Sequence, residues 1–146
     1  MQPYILTLHI LAATIWTGGH LILATVILPK VLKNRDVEAL MAFEMNYEKI
    51  GMPALIIQVI SGFYLVYNMV PDISKWFSFS DFTTTRIGIK LILLLMTIMF
   101  ALSAKLFVIT NLSKKTLPIM AFHIISVTTI GIAFVIIGSS FKNDLF

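Results

Sequence analysis

Four long runs of apolar residues, separated by short polar stretches, dominate the pattern of this 146-residue chain. They cover residues 4–28, 51–70, 87–109 and 117–138. A helix needs about 20 apolar residues to cross the hydrocarbon core of a bilayer, and each run reaches that length. The runs show no alternation of period two, so helices rather than barrel strands would satisfy the backbone in lipid. The pattern predicts an all-α integral membrane four-helix bundle, with 1–146 as a single domain.

Polar residues and prolines stand where the ends of these helices are expected. Asp36 can cap a short amphipathic helix between spans one and two, which runs on into span two with a kink at Pro53. Ser80 or Asp81 can cap span three, and Thr116 can cap span four. The connections are short, so neighbouring spans are expected to run antiparallel.

The composition supports a membrane protein and excludes several classes of function. Hydrophobic residues make up 58% of the chain and charged residues 12%, against about 25% charged residues in soluble domains. The chain has no cysteine, which excludes disulfides, thiolate metal sites and cysteine nucleophiles. The net charge of +4 comes mainly from short connections, so we expect no nucleic-acid partner. No phosphate-binding loop, metalloprotease motif or hydrolase elbow is present.

The basic residues predict the orientation in the membrane. We call the side that holds Met1 side A, and the opposite side B. Side B holds Lys30, Lys33, Arg35, Lys49, Lys114 and Lys115, and side A holds Lys75, Arg86 and Lys142. The positive-inside rule therefore predicts that side B faces the cytoplasm and that both termini lie outside. We expect the membrane to be a bacterial inner membrane.

The three histidines are candidate functional residues, because ionisable side chains inside spans usually face the bundle interior. His9 and His20 are eleven residues apart, which places them on one helix face, roughly 16 Å apart along the axis. His123 lies early in span four, which enters the membrane from side B. The helical rise then predicts that His20 and His123 have nearly the same depth and form a pair. Hydrogen bonding between helices is the alternative role for either residue.

A stripe of thioether and carboxylate side chains enters span two on side B. It consists of Met41, Met45, Glu48 and Met52, with Glu44 beside it. Thioethers with imidazoles suit Cu(I), whereas paired imidazoles, or an imidazole with a thioether, suit haem iron. The candidate copper ligands are His20, His123, Met45, Met52 and Met120. Ordinary packing is the alternative role for the methionines.

His9 has different neighbours, near side A. Arg86 and, one turn deeper, Lys90 begin span three at the depth of His9. A histidine beside fixed positive charge is typical of an anion or proton site, or of a clamp for a carboxylate. His9, Arg86 and Lys90 are therefore the candidate catalytic residues, with snorkelling of Lys90 toward the interface as the alternative.

Three pieces of sequence carry a resemblance to a known family. They are LHILAATIWTGGH in span one, FEMNYEKIGMPAL entering span two, and AFHI in span four. On these pieces the chain resembles the CopD-like family of small four-helix membrane proteins, named after copper-resistance protein D, over nearly its whole length. It is more distantly similar to the HemJ-type protoporphyrinogen oxidases through His9 with Trp16, Pro53 with Ala54, and Lys90.

The resemblance implies a membrane protein that binds haem or handles copper. In the first hypothesis a b-type haem serves electron transfer or the oxidation of a small substrate, so the protein could be a membrane oxidoreductase. Its axial ligands would be His20 and His123, with His9 as a second candidate. Its propionate partners would be Lys30, Lys33, Lys114 and Lys115. The expected partners are the lipid bilayer, a quinone or redox protein, and a second copy in a homodimer.

In the second hypothesis the protein transports or delivers copper ions. In a third, it is a structural subunit whose histidines only bond neighbouring helices.

Overall fold

The structure is a computed structural model that describes residues 3–141, and in this part of the chain four long helical spans carry the fold. Span one consists of α1 (Pro3–Ile22), a π-helical segment (Leu23–Ile27) and α2 (Leu28–Asn34). Span two is α3 (Val37–Met69). Span three is α4 (Phe82–Ser103), followed by a π-helical segment (Ala104–Val108) and a 3₁₀ turn (Ile109–Asn111). Span four is α5 (Leu117–Ser140). The predicted all-α membrane bundle is confirmed, while Lys142 and both chain ends lie outside the described residues.

The amphipathic helix and span two form one continuous helix. Asp36 begins it, because its side-chain oxygen Oδ1 accepts a hydrogen bond from the Ala39 amide at 2.9 Å. The helix then continues through Pro53 to Met69. The predicted cap and the predicted continuation into span two are both confirmed.

Asp81, rather than Ser80, caps α4. Its Oδ1 accepts hydrogen bonds from the amides of Thr83 and Thr84 at 2.8 and 2.9 Å, and the Thr84 hydroxyl accepts one from the Asp81 amide. The bond from the Thr84 amide is the main reason why the pKa of Asp81 lies below its usual value. Thr116 precedes α5 as expected, but its hydroxyl donates to the Asn111 carbonyl and makes no cap bond.

The helices pack antiparallel in the order α3, α1, α5, α4. The most extensive contact is between α1 and α3, followed by α4 with α5 and α1 with α5. Among the described residues α3 and α4 contact each other little, so α1 and α5 form the centre of the bundle. The side-chain hydroxyl of Thr128 on α5 donates to the Ile124 carbonyl at 2.7 Å and lies 3.2 Å from the His20 carbonyl, a contact that defines the register of α1 against α5.

The side-B half of the bundle contains an apolar core. It joins span one, the start of α3, the π-helical segment after α4, and the start of α5. Its buried members are Leu23, Leu28, Val31, Leu40, Val108, Leu117, Met120, Ala121 and Ile124. Most other large apolar side chains point outward, as expected for a protein whose surface contacts lipid.

Candidate functional site

The interface between α1 and α3 holds two of the three histidines. The His9 ring meets Ser61 and the His20 ring meets Tyr47, and both partners lie on α3. The prediction that His9 and His20 share one face of α1 is confirmed. Eleven residues separate them by roughly 16 Å along the axis. Two nitrogen ligands on one metal ion lie about 4 Å apart, so these two histidines cannot share an ion.

The hydrogen bonds around His9 determine which ring nitrogen is available. Ser61 donates its single hydroxyl hydrogen to the backbone carbonyl of Ile57 at 2.6 Å. The backbone carbonyl of Gln58 also lies within hydrogen-bond distance of this hydroxyl, at 3.2 Å. At 3.0 Å, Ser61 Oγ can therefore only accept from His9 Nδ1–H. In the neutral ring Nε2 then carries no hydrogen and keeps its lone pair, as in histidines that bind metals. A Cβ atom at Gly62 would lie 3.1 Å from His9 Cε1, so the ring packs closely against α3 at this glycine.

His20 has the same tautomer through a different set of contacts. Its Nδ1 donates to the Trp16 carbonyl at 2.9 Å, which leaves Nε2 without a hydrogen. Tyr47 donates its hydroxyl to the same carbonyl at 2.8 Å. A Cβ atom at Gly51 would lie 2.9 Å from the Tyr47 ring, and one at Gly19 would lie closer still. The two glycines therefore make the space in which Tyr47 packs against His20.

His123 uses both of its ring nitrogens in hydrogen bonds. Nδ1 donates to the Ile119 carbonyl at 2.9 Å, and Ser103 Oγ donates to Nε2 at 3.0 Å. The side chain is buried, with the rings of Phe100 and Phe122 edge-on at 5.5 and 6.0 Å between centroids. Its geometry is that of a satisfied hydrogen bond between α5 and α4, which was the alternative role for this residue.

The predicted pairing of His20 with His123 is wrong in depth. Thr128 lies beside the His20 carbonyl, and Gly131 lies beside Thr17. This register places His123 opposite Thr25, five residues or about 7.5 Å from the level of His20. The rings diverge further, because each bonds the preceding turn of its own helix and the helices are antiparallel. The error arises because span one continues to residue 34, so His20 lies farther from side B than expected.

The candidate copper ligands do not converge. Met45 and Met52 are 59% and 38% exposed, whereas Met120 is buried in the apolar core. Within residues 3–141 no group of three or more histidine and acidic side chains could hold a metal ion. The candidate propionate partners are all exposed and belong to the side-B ends of the helices: Lys30, Lys33, Lys114 and Lys115.

The side-A half of the bundle contains all three candidate catalytic residues. Lys90 is close enough to His9 for their charges to interact. Its Nζ would lie 3.3 Å from a Cβ atom at Gly138, so the lysine turns toward α5. Arg86, one turn earlier, is sandwiched between aromatic rings, including that of Phe141. Arg86 and Lys90 therefore meet at the Phe141 ring, and His9 is linked to this pair through Lys90.

Sequence reasoning missed the side chains that orient the histidines. Ser61 and Tyr47 are single polar residues among apolar ones, and only the glycines opposite Tyr47 could have indicated a close approach. It also missed the ion pair between Lys105 and Glu48.

In comparisons with known proteins, no family model, no curated protein and no solved structure matches this chain. The resemblance to the CopD-like family therefore stays a prediction.

Proposed function

We propose that the protein is a b-type haem-binding integral membrane protein with a redox role, in which His9 would be the residue that binds the haem iron. The role is either electron transfer or the oxidation of a small substrate. The observation that carries the proposal is the hydrogen bond from His9 Nδ1 to Ser61 Oγ. It fixes the ring orientation and leaves Nε2 for iron, which is the arrangement typical of metal-ligating histidines.

The residues fit a haem held by one histidine better than a haem held by two. His123 would have to break its bond with Ser103 before it could bind iron, and it lies about five residues from the level of His20. His9 and His20 need no such rearrangement, and of the two only His9 has a charged side chain from the described part of the chain, that of Lys90, close to it.

Each residue near His9 has a separate task in this proposal. A bound haem would supply the one-electron chemistry. Ser61 holds the imidazole in one tautomer, and Gly62 permits the ring to lie against α3. Lys90 supplies a positive charge near His9, which favours a reduced or anionic partner at this level.

The direct test is the haem content of protein purified from haem-replete cells, measured as the pyridine haemochrome together with its copper content. We expect red protein with haem b and no stoichiometric copper. Colourless protein, or protein that carries copper in place of haem, contradicts the proposal.

The proposed location is a bacterial inner membrane with side B in the cytoplasm. The support is the excess of exposed basic residues at the side-B ends of the helices. Because the chain has no cysteine, Lys33→Cys and Lys75→Cys can report the two sides separately. A membrane-impermeant maleimide applied outside intact cells should label only the cysteine at position 75; labelling only at position 33 would reverse the orientation.

A further inference from the structure

Arg86 and Lys90 form a pair of cations around one aromatic ring. They are four residues apart on α4 and therefore lie on the same helix face. Arg86 Cζ lies 3.7 Å from the ring centroid of Phe82 and 5.4 Å from that of Phe141. Lys90 Nζ lies 5.1 Å from the same Phe141 centroid. The guanidinium therefore stacks on the face of the Phe82 ring, and the N–H groups at its edge point away from that ring.

Within residues 3–141 neither cation has an acidic partner. The ion pairs in this part of the chain are Lys75 with Asp72 and Lys105 with Glu48. Arg86 Nη2 is buried and has no hydrogen-bond partner there. Asp81, the nearest acid along the described chain, is occupied by the amides at the start of α4.

A buried donor on a charged group without a partner is costly, so an unpaired guanidinium edge indicates a missing ligand. Arginine presents parallel N–H groups that match two oxygens of a carboxylate or a phosphate. A second cation one turn away adds attraction for the same negative charge. Both features select an anionic group over a neutral one such as a quinone carbonyl.

We propose that Arg86 and Lys90 form an oxyanion site for the carboxylate or phosphate of a small amphiphile that enters from side A. The rings of Phe82 and Phe141 provide apolar surface beside the charges, and Phe82 is 48% exposed. The cations are present whether or not haem binds at His9. The oxyanion can belong to a separate amphiphile or to a haem propionate, and the site chemistry is the same for both.

The test is the thermal unfolding of purified protein in a neutral detergent with dodecanoate, dodecyl phosphate or dodecanol. The two anions should raise the unfolding temperature, whereas dodecanol, with the same chain and no charge, should not. Arg86→Gln should weaken the apparent affinity for the anions roughly 10- to 100-fold, as expected for a lost charge-assisted bond. Lys90→Gln should weaken it as well, and Lys75→Gln, which alters an exposed cation on the same side, should not.

Two further experiments identify the source of the oxyanion and separate a loss of binding from a folding defect. Haem-loaded protein that no longer binds dodecanoate would identify a haem propionate as the occupant; unchanged binding would identify a separate amphiphile. Arg86→Lys keeps the positive charge but loses the parallel N–H groups of the guanidinium. This variant should therefore fold like the parent and bind anions more weakly.

Three results would overturn the proposal. One is equal stabilisation by dodecanol and dodecanoate, and another is full anion affinity in both glutamine variants. The third concerns Asp144, which lies outside the described residues. If Asp144→Asn and Arg86→Gln destabilise the protein non-additively and anions do not bind, the partner of Arg86 is the chain's own carboxylate.

Discussion

Gly18 and Gly19 are adjacent on α1 but differ in what a methyl group would meet, which gives a matched pair of variants. A Cβ atom at Gly18 has nothing within 4 Å, whereas one at Gly19 overlaps the ring of Tyr47. Gly19→Ala should therefore displace Tyr47 and break its bond to the Trp16 carbonyl. Overpacking costs about 1–3 kcal/mol and the lost hydrogen bond about 0.5–1.5 kcal/mol. Gly18→Ala should instead stabilise α1 by about 0.5–1 kcal/mol.

The two variants should thus differ by about 2–5 kcal/mol, or roughly 5–15 °C in unfolding temperature for a chain of this size. Circular dichroism in detergent measures this difference. In a Tyr47→Ala background, Gly19→Ala should lose most of its cost, because the overlapping ring is gone. Equal unfolding temperatures for Gly18→Ala and Gly19→Ala would refute the close packing of Tyr47 on α1.

Three other expectations concern single contacts. Ser61→Ala should weaken haem binding about 10- to 100-fold in a haem titration. Ser103→Ala, which removes the hydrogen-bond partner of His123, should leave haem binding unchanged. A double-mutant cycle on Glu48 and Lys105 should give a coupling of about 0.2–1 kcal/mol that falls with added salt, because both side chains are half exposed. The pKa of Asp81 is depressed by its cap bonds, so its contribution to stability is present above the ordinary pKa of about 3.9 and lost as pH falls through the folded value. Unfolding measured against pH should show this loss in the parent and not in Asp81→Asn.

Features that depend on one helix at a time were predictable from the sequence. The spans follow from the lengths of the apolar runs, and Asp36 and Asp81 cap helices because their side chains reach nearby amides. The shared face of His9 and His20 follows from the helical period alone. Each of these inferences needs only the sequence spacing within a segment.

Features that depend on the register between helices were not predictable. The level of His123 against His20 depends on how far span one continues before it turns, and no apolar pattern marks the end at Asn34. The contact of Thr128 with the His20 carbonyl appears only once α1 and α5 are packed. Similarly, Ser61 orients His9 because α1 and α3 lie antiparallel at that offset, which neither segment specifies alone.

The central claim is that the protein binds haem b through His9, and haem content in matched histidine variants tests it most directly. Wild-type protein, His9→Gln and His123→Gln would be purified from the same haem-replete cells and their pyridine haemochrome measured per chain. The account predicts haem in the wild type and in His123→Gln, and almost none in His9→Gln. Haem in His9→Gln at the level of His123→Gln, or its absence from the wild type, would contradict the account.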